Sequence, residues 1–132
     1  MKSVRVKDYM IAVPVCFKRE TEVLHAAHTL IELGVSGAPV LDECGRPVGM
    51  ITEQDCIEVA LQAYYHGTPG GTVGDHMSAN PQTIGAEESL LDAAKLFIRN
   101  KFYGYPVLSE GHLVGLITRR DVLRAMGEFY PR

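Results

Sequence analysis

The chain lacks a strong charge of either sign, a long apolar run and a cysteine framework, and each absence removes a class of function. Its 132 residues hold 13 Lys and Arg against 16 Asp and Glu, a formal net charge of −3. That balance argues against bulk electrostatic capture of nucleic acid, while leaving room for local basic patches. No apolar run approaches the roughly 20 residues that a membrane-spanning helix needs. The N-terminus reads Met-Lys-Ser-Val-Arg-Val-Lys-Asp, without the apolar core of a secretion signal, so a cytoplasmic location is expected. Only three cysteines occur, Cys16, Cys44 and Cys56, with no Cys-x-x-Cys pair among them. They read as reduced thiols, not as a disulfide or zinc framework. With 46% hydrophobic and 22% charged residues, the composition is that of an ordinary soluble chain of single-domain size.

What is present is a repeat. From Gly37 the chain reads Gly-Ala-Pro-Val-Leu-Asp-Glu-Cys-Gly-Arg-Pro-Val-Gly-Met-Ile-Thr-Glu-Gln-Asp. From Gly104 it reads Gly-Tyr-Pro-Val-Leu-Ser-Glu-Gly-His-Leu-Val-Gly-Leu-Ile-Thr-Arg-Arg-Asp, in register once Cys44 is removed. Upstream, Val6-x-Asp8-x-Met10 answers Val73-x-Asp75-x-Met77, and Ala26-Ala27 answers Ala93-Ala94. Self-similarity of this length marks two copies of one supersecondary unit. A unit of roughly 60 residues is marginal alone, so the copies are expected to share a core, with function in the cleft between them. The division expected along the chain is a first unit over 6–66, a breaker-rich linker over 67–72 and a second unit over 73–128.

Each copy predicts strand, helix, strand, strand, helix. Val13 to Phe17 reads as a short extended piece, confined to a strand start or edge by Pro14. Val23, Leu24, Ala27, Leu30 and Ile31 recur at helical spacing, matched by Leu90, Leu91, Ala94, Phe97 and Ile98. Ser89-x-x-Asp92 predicts a capping box for the second of these helices. Two apolar runs around a Gly-containing turn then predict a hairpin, Ala38–Leu41 with Val48–Ile51 in the first copy. A further helix follows each Thr, from about Glu53 to Tyr65 and from about Arg119 to Phe129.

Thr52-x-x-Asp55 and Thr118-x-x-Asp121 stand where a strand gives way to a helix. Such a pair is a capping box: the Thr accepts an N3 amide and the acid reaches back to the N-cap amide. The same geometry also suits a ligand. An exposed helix N-terminus and a hydroxyl hold phosphate, and a carboxylate accepts two vicinal ribose hydroxyls.

The string Gly-x-Pro-Val-Leu, a turn, Val-Gly-hydrophobic-Ile-Thr-x-x-Asp, after an Ala-Ala helix and an Asp-x-Met lead-in, resembles the CBS domain. The resemblance runs from about Val6 to Met126, and two copies in tandem resemble a Bateman module. It implies an α+β fold of two β-α-β-β-α CBS units related by a pseudo-twofold axis, with two clefts. It also implies a regulatory module without catalysis and with no obligatory cofactor. Its ligand would be an adenosine derivative: AMP, ADP, ATP, NAD or S-adenosylmethionine. By the same resemblance Asp55 and Asp121 hold ribose, and Thr52 and Thr118 face phosphate or ribose. Val13-Pro14, Asn80-Pro81, Ala38-Pro39 and Tyr105-Pro106 would wall the adenine. Tyr105 departs from the small residue usual before that Pro, and its ring either stacks on a base or fills the slot. Arg119-Arg120, where the first copy has Glu53-Gln54, offers bidentate partners to a phosphate.

The remaining features point elsewhere. His25 and His28 lie on a polar helical stripe with no third ligand in evidence, so no metal site is expected. Gly67-x-x-Gly70-Gly71-x-x-Gly74 lacks the Gly-Lys-Ser/Thr of a phosphate loop. Tyr64, Tyr65, Phe129 and Tyr130, at the ends of the second helices, fit a homodimer surface. With no fused effector domain, the output is expected in trans on an enzyme or transporter. Two rivals stand beside this reading: an interaction module with degenerate clefts, and a small enzyme or nucleic-acid binder using Arg119, Arg120 and Arg124. The net negative charge disfavours the second.

Overall fold

The computed structural model describes residues 4–12, 14–68 and 70–129. After a 3-10 turn at Val6–Asp8 come β1 (Ile11–Ala12), β2 (Phe17–Lys18), α1 (Val23–Leu33), β3 (Gly37–Leu41), β4 (Pro47–Thr52) and α2 (Glu53–His66). There follow α3 (Val73–His76), β5 (Ser78–Ala79), β6 (Ile84–Gly85), α4 (Leu90–Arg99), β7 (Gly104–Ser109), β8 (His112–Thr118) and α5 (Arg119–Gly127). The first-copy strand is shorter than the expected 13–17 extended piece. It begins only at Phe17, consistent with Pro14 having no N–H to give a ladder. No helix among the described residues is long and apolar enough to cross a membrane.

By their contacts the residues form two compact units, and these do not follow the repeat boundaries. The first unit is Val15–Pro81; the second joins Met1–Pro14 to Gln82–Arg132. Each is α+β with one four-stranded sheet, β2-β3-β4-β5 in the first and β6-β7-β8-β1, in equivalent order, in the second. A parallel pair flanks the crossover helix (β2 with β3, β6 with β7), and an antiparallel hairpin follows. The fourth strand comes from the other repeat's lead-in: β5 adds antiparallel to β4, and β1 to β8. The divisions at 66 and 73 therefore mark sequence repeats, across which the compact units exchange their lead-ins. Gly71 is held within the first unit, its carbonyl accepting the Val23 N–H at 3.0 Å.

This exchange accounts for two of the repeated motifs at once. A Cβ on Gly49 would lie 2.9 Å from the Ser78 carbonyl oxygen, and one on Gly115 would lie 2.8 Å from that of Ile11. In each case the Met77 or Met10 side chain of the same lead-in also crowds the position. The Val-Gly of each repeat is thus the seat of the other repeat's Asp-x-Met segment, and a side chain there would push backbone against backbone.

The cores repeat in the same way. In the first unit Phe17, Val23, Ala26, Val40, Ile51, Val59 and Val73 are buried together. In the second unit Ile84, Leu90, Ala93, Val107, Ile117, Ala125 and Val6 take the equivalent places. Ile31 and Ile98, expected on the buried stripes of the first helices, face outward at 76% and 85% exposure, while Ala26 and Ala93 take the inner positions. Small residues there let the helix approach the sheet closely. The Ser89 cap also differs from the expected box. Its Oγ accepts the Leu91 N–H at 3.1 Å, one residue short of Asp92. The second hairpin turns through Glu110 and Gly111, at φ 51° and 80°, the pair of positive φ values that a type I′ turn requires.

Candidate ligand-binding site

The two strand-to-helix junctions have nearly superimposable bonding. In the first unit Thr52 Oγ1 accepts the Asp55 N–H at 3.3 Å. Asp55 Oδ2 accepts both the Thr52 N–H at 2.9 Å and the Thr52 hydroxyl at 3.0 Å. In the second unit the Asp121 N–H donates to Thr118 Oγ1 at 3.2 Å, and Asp121 Oδ2 accepts the Thr118 N–H and hydroxyl at 2.9 and 2.7 Å. Both capping boxes are complete, so the motif has a structural role in each copy. That role uses only one carboxylate oxygen. It leaves Oδ1 as the acceptor with which either Asp could hold something else.

The junctions differ around that second oxygen. Thr118 and Asp121 are buried, at 5% and 7% exposure, whereas Thr52 and Asp55 are half-buried. Arg124 Nη2 lies 3.5 Å from Asp121 Oδ1 and donates to the Tyr9 carbonyl at 3.3 Å, with its guanidinium 5.4 Å above the Tyr9 ring. The Tyr9 hydroxyl donates to Glu128, which pushes its pKa up and closes a chain from the lead-in to α5. The counterpart of Arg124 in the first unit is Glu58, so the local charge is reversed. Arg119 and Arg120 are both exposed in the first turn of α5, where α2 has the acidic Glu53 and the neutral Gln54. Sequence reasoning missed the Asp121–Arg124–Tyr9 linkage. Its i,i+3 half was readable as helix spacing, but the Tyr9 half depends on the lead-in exchange.

The structure distributes the other expected wall residues as follows. Val13 lies outside the described residues, and Pro14 is half-buried in the second unit. Asn80, exposed and at φ 54°, and Pro81 belong to the first unit, where the Asn80 N–H donates to the Val48 carbonyl at 3.1 Å. Pro14 therefore shares a unit with Asp121, and Asn80-Pro81 with Asp55. Ala38 and Pro39 on β3, and Pro106 on β7, are fully buried, and Ala38 is paired with Ile51 one residue before Thr52. Tyr105 has zero exposure. Its ring packs 4.7 Å from Phe97 and 5.9 Å from Phe102, and its hydroxyl donates to the Leu96 carbonyl at 3.1 Å. The ring is thus enclosed by side chains of its own unit. Cys56, one residue after Asp55, is buried, and its thiol pKa is raised by that burial and secondarily by the Asp55 carboxylate.

The CBS domain family model matches residues 6–62 and again 73–128. The chain belongs to the CBS domain family. CBSX2 from Arabidopsis thaliana, crystallised in complex with AMP, superposes with a TM-score of 0.82 at 33% identity, covering 95% of this chain and 97% of that one. The CBS domain pair of MJ0100, in complex with 5′-methylthioadenosine and S-adenosyl-L-methionine, gives 0.83 at 26% identity over 96% of this chain and 98% of the other. Among curated proteins, the chloroplastic CBSX1 of Arabidopsis thaliana is 31% identical over 82% of this chain and 57% of its own length. The uncharacterised MJ1225 of Methanocaldococcus jannaschii is 29% identical over 92% of this chain and 42% of its own. The chain spans about half the length of these curated relatives. Each of the two matched spans contains one of the Thr-x-x-Asp junctions.

Proposed function

We propose that this chain is a regulatory module that binds an adenosine derivative at its Thr-x-x-Asp helix starts and acts in trans on an enzyme or transporter, without chemistry of its own. The likeness to the AMP complex of CBSX2 over nearly the whole chain carries this reading. AMP, methylthioadenosine and S-adenosylmethionine share an adenosine moiety and differ in 5′ substituent and charge. Asp55 and Asp121 meet the common demand, because each offers Oδ1 to ribose hydroxyls while Oδ2 keeps the helix cap. Thr52 and Thr118 set the helix N-terminus toward the 5′ group. Arg119 and Arg120 favour a phosphorylated ligand in the second unit, and Glu53 favours a less charged one in the first. Pro14 and the exposed Asn80 are wall residues that solvent, and hence a ligand, can reach.

A cytoplasmic homodimer belongs to the same reading. Ile31, Ile57, Leu61, Tyr64 and Tyr65 on the two helices of the first unit are all exposed, side chains that a second copy would cover. The rival, an assembly module with idle ligand sites, draws on one observation: both Thr-x-x-Asp pairs are already complete as caps.

A thermal-shift panel of AMP, ADP, ATP, NAD, S-adenosylmethionine and cyclic dinucleotides separates the two. A ligand present at about 100 times its Kd stabilises by about 2.7 kcal/mol, a rise of roughly 5–15 °C in Tm for a chain of this size. A rise with at least one adenosine compound is expected. No rise with any compound at millimolar concentration would leave the assembly module.

A further inference from the structure

One side-chain nitrogen in the second unit makes two contacts of different kinds. Arg124 Nη2 lies 3.5 Å from Asp121 Oδ1 and also donates to the Tyr9 carbonyl at 3.3 Å. The guanidinium lies over the Tyr9 ring, whose hydroxyl donates to Glu128 at the end of α5. Tyr9 closes the 3-10 turn of the lead-in, two residues before β1 pairs with β8. The Arg124 side chain is 57% exposed and that of Asp121 only 10%, so the guanidinium stands on the solvent side of the carboxylate.

The first unit is built without this linkage. Glu58 stands at the place of Arg124 and Gln62 at that of Glu128. His76 takes the place of Tyr9, and its Nε2 lies 2.6 Å from the Gly70 carbonyl oxygen, on the chain leading into α3. Asp55 therefore meets a carboxylate three residues on, where Asp121 meets a guanidinium.

We propose that Arg124 is a latch between the second ligand site and the lead-in: ribose takes Asp121 Oδ1 from it, and the Tyr9 carbonyl is released in the same movement. This rests on the reading of Asp121 as a ribose acceptor. A carboxylate oxygen has two acceptor positions, and a vicinal diol needs both. Arg124 directed at Oδ1 occupies one of them. The contacts given up are long and made by an exposed group, so water screens them and little holds them. Ribose hydroxyls on a buried carboxylate make charge-assisted bonds, which are stronger. Because Nη2 makes both contacts, it cannot leave Oδ1 without drawing away from Tyr9. Occupancy of the site is thereby passed to a residue 115 positions away in sequence. By reciprocity, a chain whose latch is already open binds the ligand more tightly.

Amide hydrogen exchange of the full chain, with and without saturating AMP, reads the latch. Exchange at Tyr9, Met10 and Ile11 is expected to quicken about two- to fivefold on binding, as the loss of one exposed contact allows. His76, Met77 and Ser78, the equivalent residues of the other lead-in, are expected not to quicken. In Arg124→Met the first three amides are expected to exchange fast without ligand and to stay so with it. Its affinity for AMP, by isothermal titration, is expected to rise about two- to fivefold. AMP binding that Asp121→Ala weakens, but that leaves exchange at Tyr9 to Ile11 unchanged, overturns the latch and leaves the ribose site standing. Equal quickening of both lead-ins also overturns it, as does unchanged or weaker binding by Arg124→Met. AMP that does not bind the wild-type chain overturns site and latch together. Should Arg124→Met not fold, Arg124→Gln repeats the test with the same expectations.

Discussion

Cut between residues 66 and 67, the chain is expected to yield two halves that are unfolded alone and regain structure when mixed. Fragment 1–66 keeps most of the first unit but loses Val73, fully buried in that unit's core, and the β5 strand paired to β4. Fragment 67–132 loses Val6, fully buried in the other core, and β1. Each missing valine removes about 1.5–3 kcal/mol of burial. The lost strand removes ladder bonds besides, from a unit whose size alone makes it marginal. Fragment 15–81 contains the whole first unit, and its circular dichroism is expected to show more helix and a sharper melt than that of 1–66. A cooperative melt for 1–66 alone would contradict the lead-in exchange.

Asp121→Ala and Asp55→Ala are expected to differ sharply in ligand binding while both lower stability. Each removes the carboxylate that accepts the N-cap N–H, and loss of a cap costs about 0.5–2 kcal/mol. Asp121 is the costlier of the two, because the Thr118 N–H and hydroxyl it leaves are buried and an unsatisfied buried group costs about 1–3 kcal/mol. For a phosphorylated ligand, Asp121→Ala is expected to weaken binding at least tenfold. The lost ribose bonds are charge-assisted, worth about 1.5–3 kcal/mol each. Asp55→Ala serves as the cap control and is expected to leave that ligand's affinity within a few-fold. Equal weakening by both, or a lower Tm with no change in binding, would return the motif to its capping role. Isothermal titration with AMP beside a melt of each variant reads both quantities.

Much of this was legible in the chain because repetition constrains it twice. The hairpins at Gly37 and Gly104, the helices after Thr52 and Thr118, and the α+β class follow from periodicity and turn chemistry that each copy states independently. What local pattern could not reveal was pairing at long range. The Asp-x-Met lead-in reads as the opening of its own repeat, since nothing local tells Met10 that its seat is Gly115. Ile31 and Ile98 fit a helical apolar stripe by spacing, yet the stripe turned inward is the one carrying Ala26 and Ala93, because close helix-to-sheet approach favours the smaller residue. Tyr105 was visible as a departure, but its fate depended on Phe97 and Phe102 being large enough to enclose it. At the candidate site the Thr and Asp were readable as a pair. That Oδ2 carries the cap in both copies while Oδ1 lies outside it, meeting Arg124 in the second, is a matter of geometry.

A crystal structure of the chain grown with AMP shows whether these helix starts hold an adenosine ligand. The ribose hydroxyls are expected within hydrogen-bond distance of Asp121 Oδ1, the phosphate at the N-terminus of α5 beside Thr118 and Arg119, and the Oδ2 cap intact. AMP bound away from both Thr-x-x-Asp junctions, or absent from crystals grown at millimolar nucleotide with both caps unchanged, would contradict it.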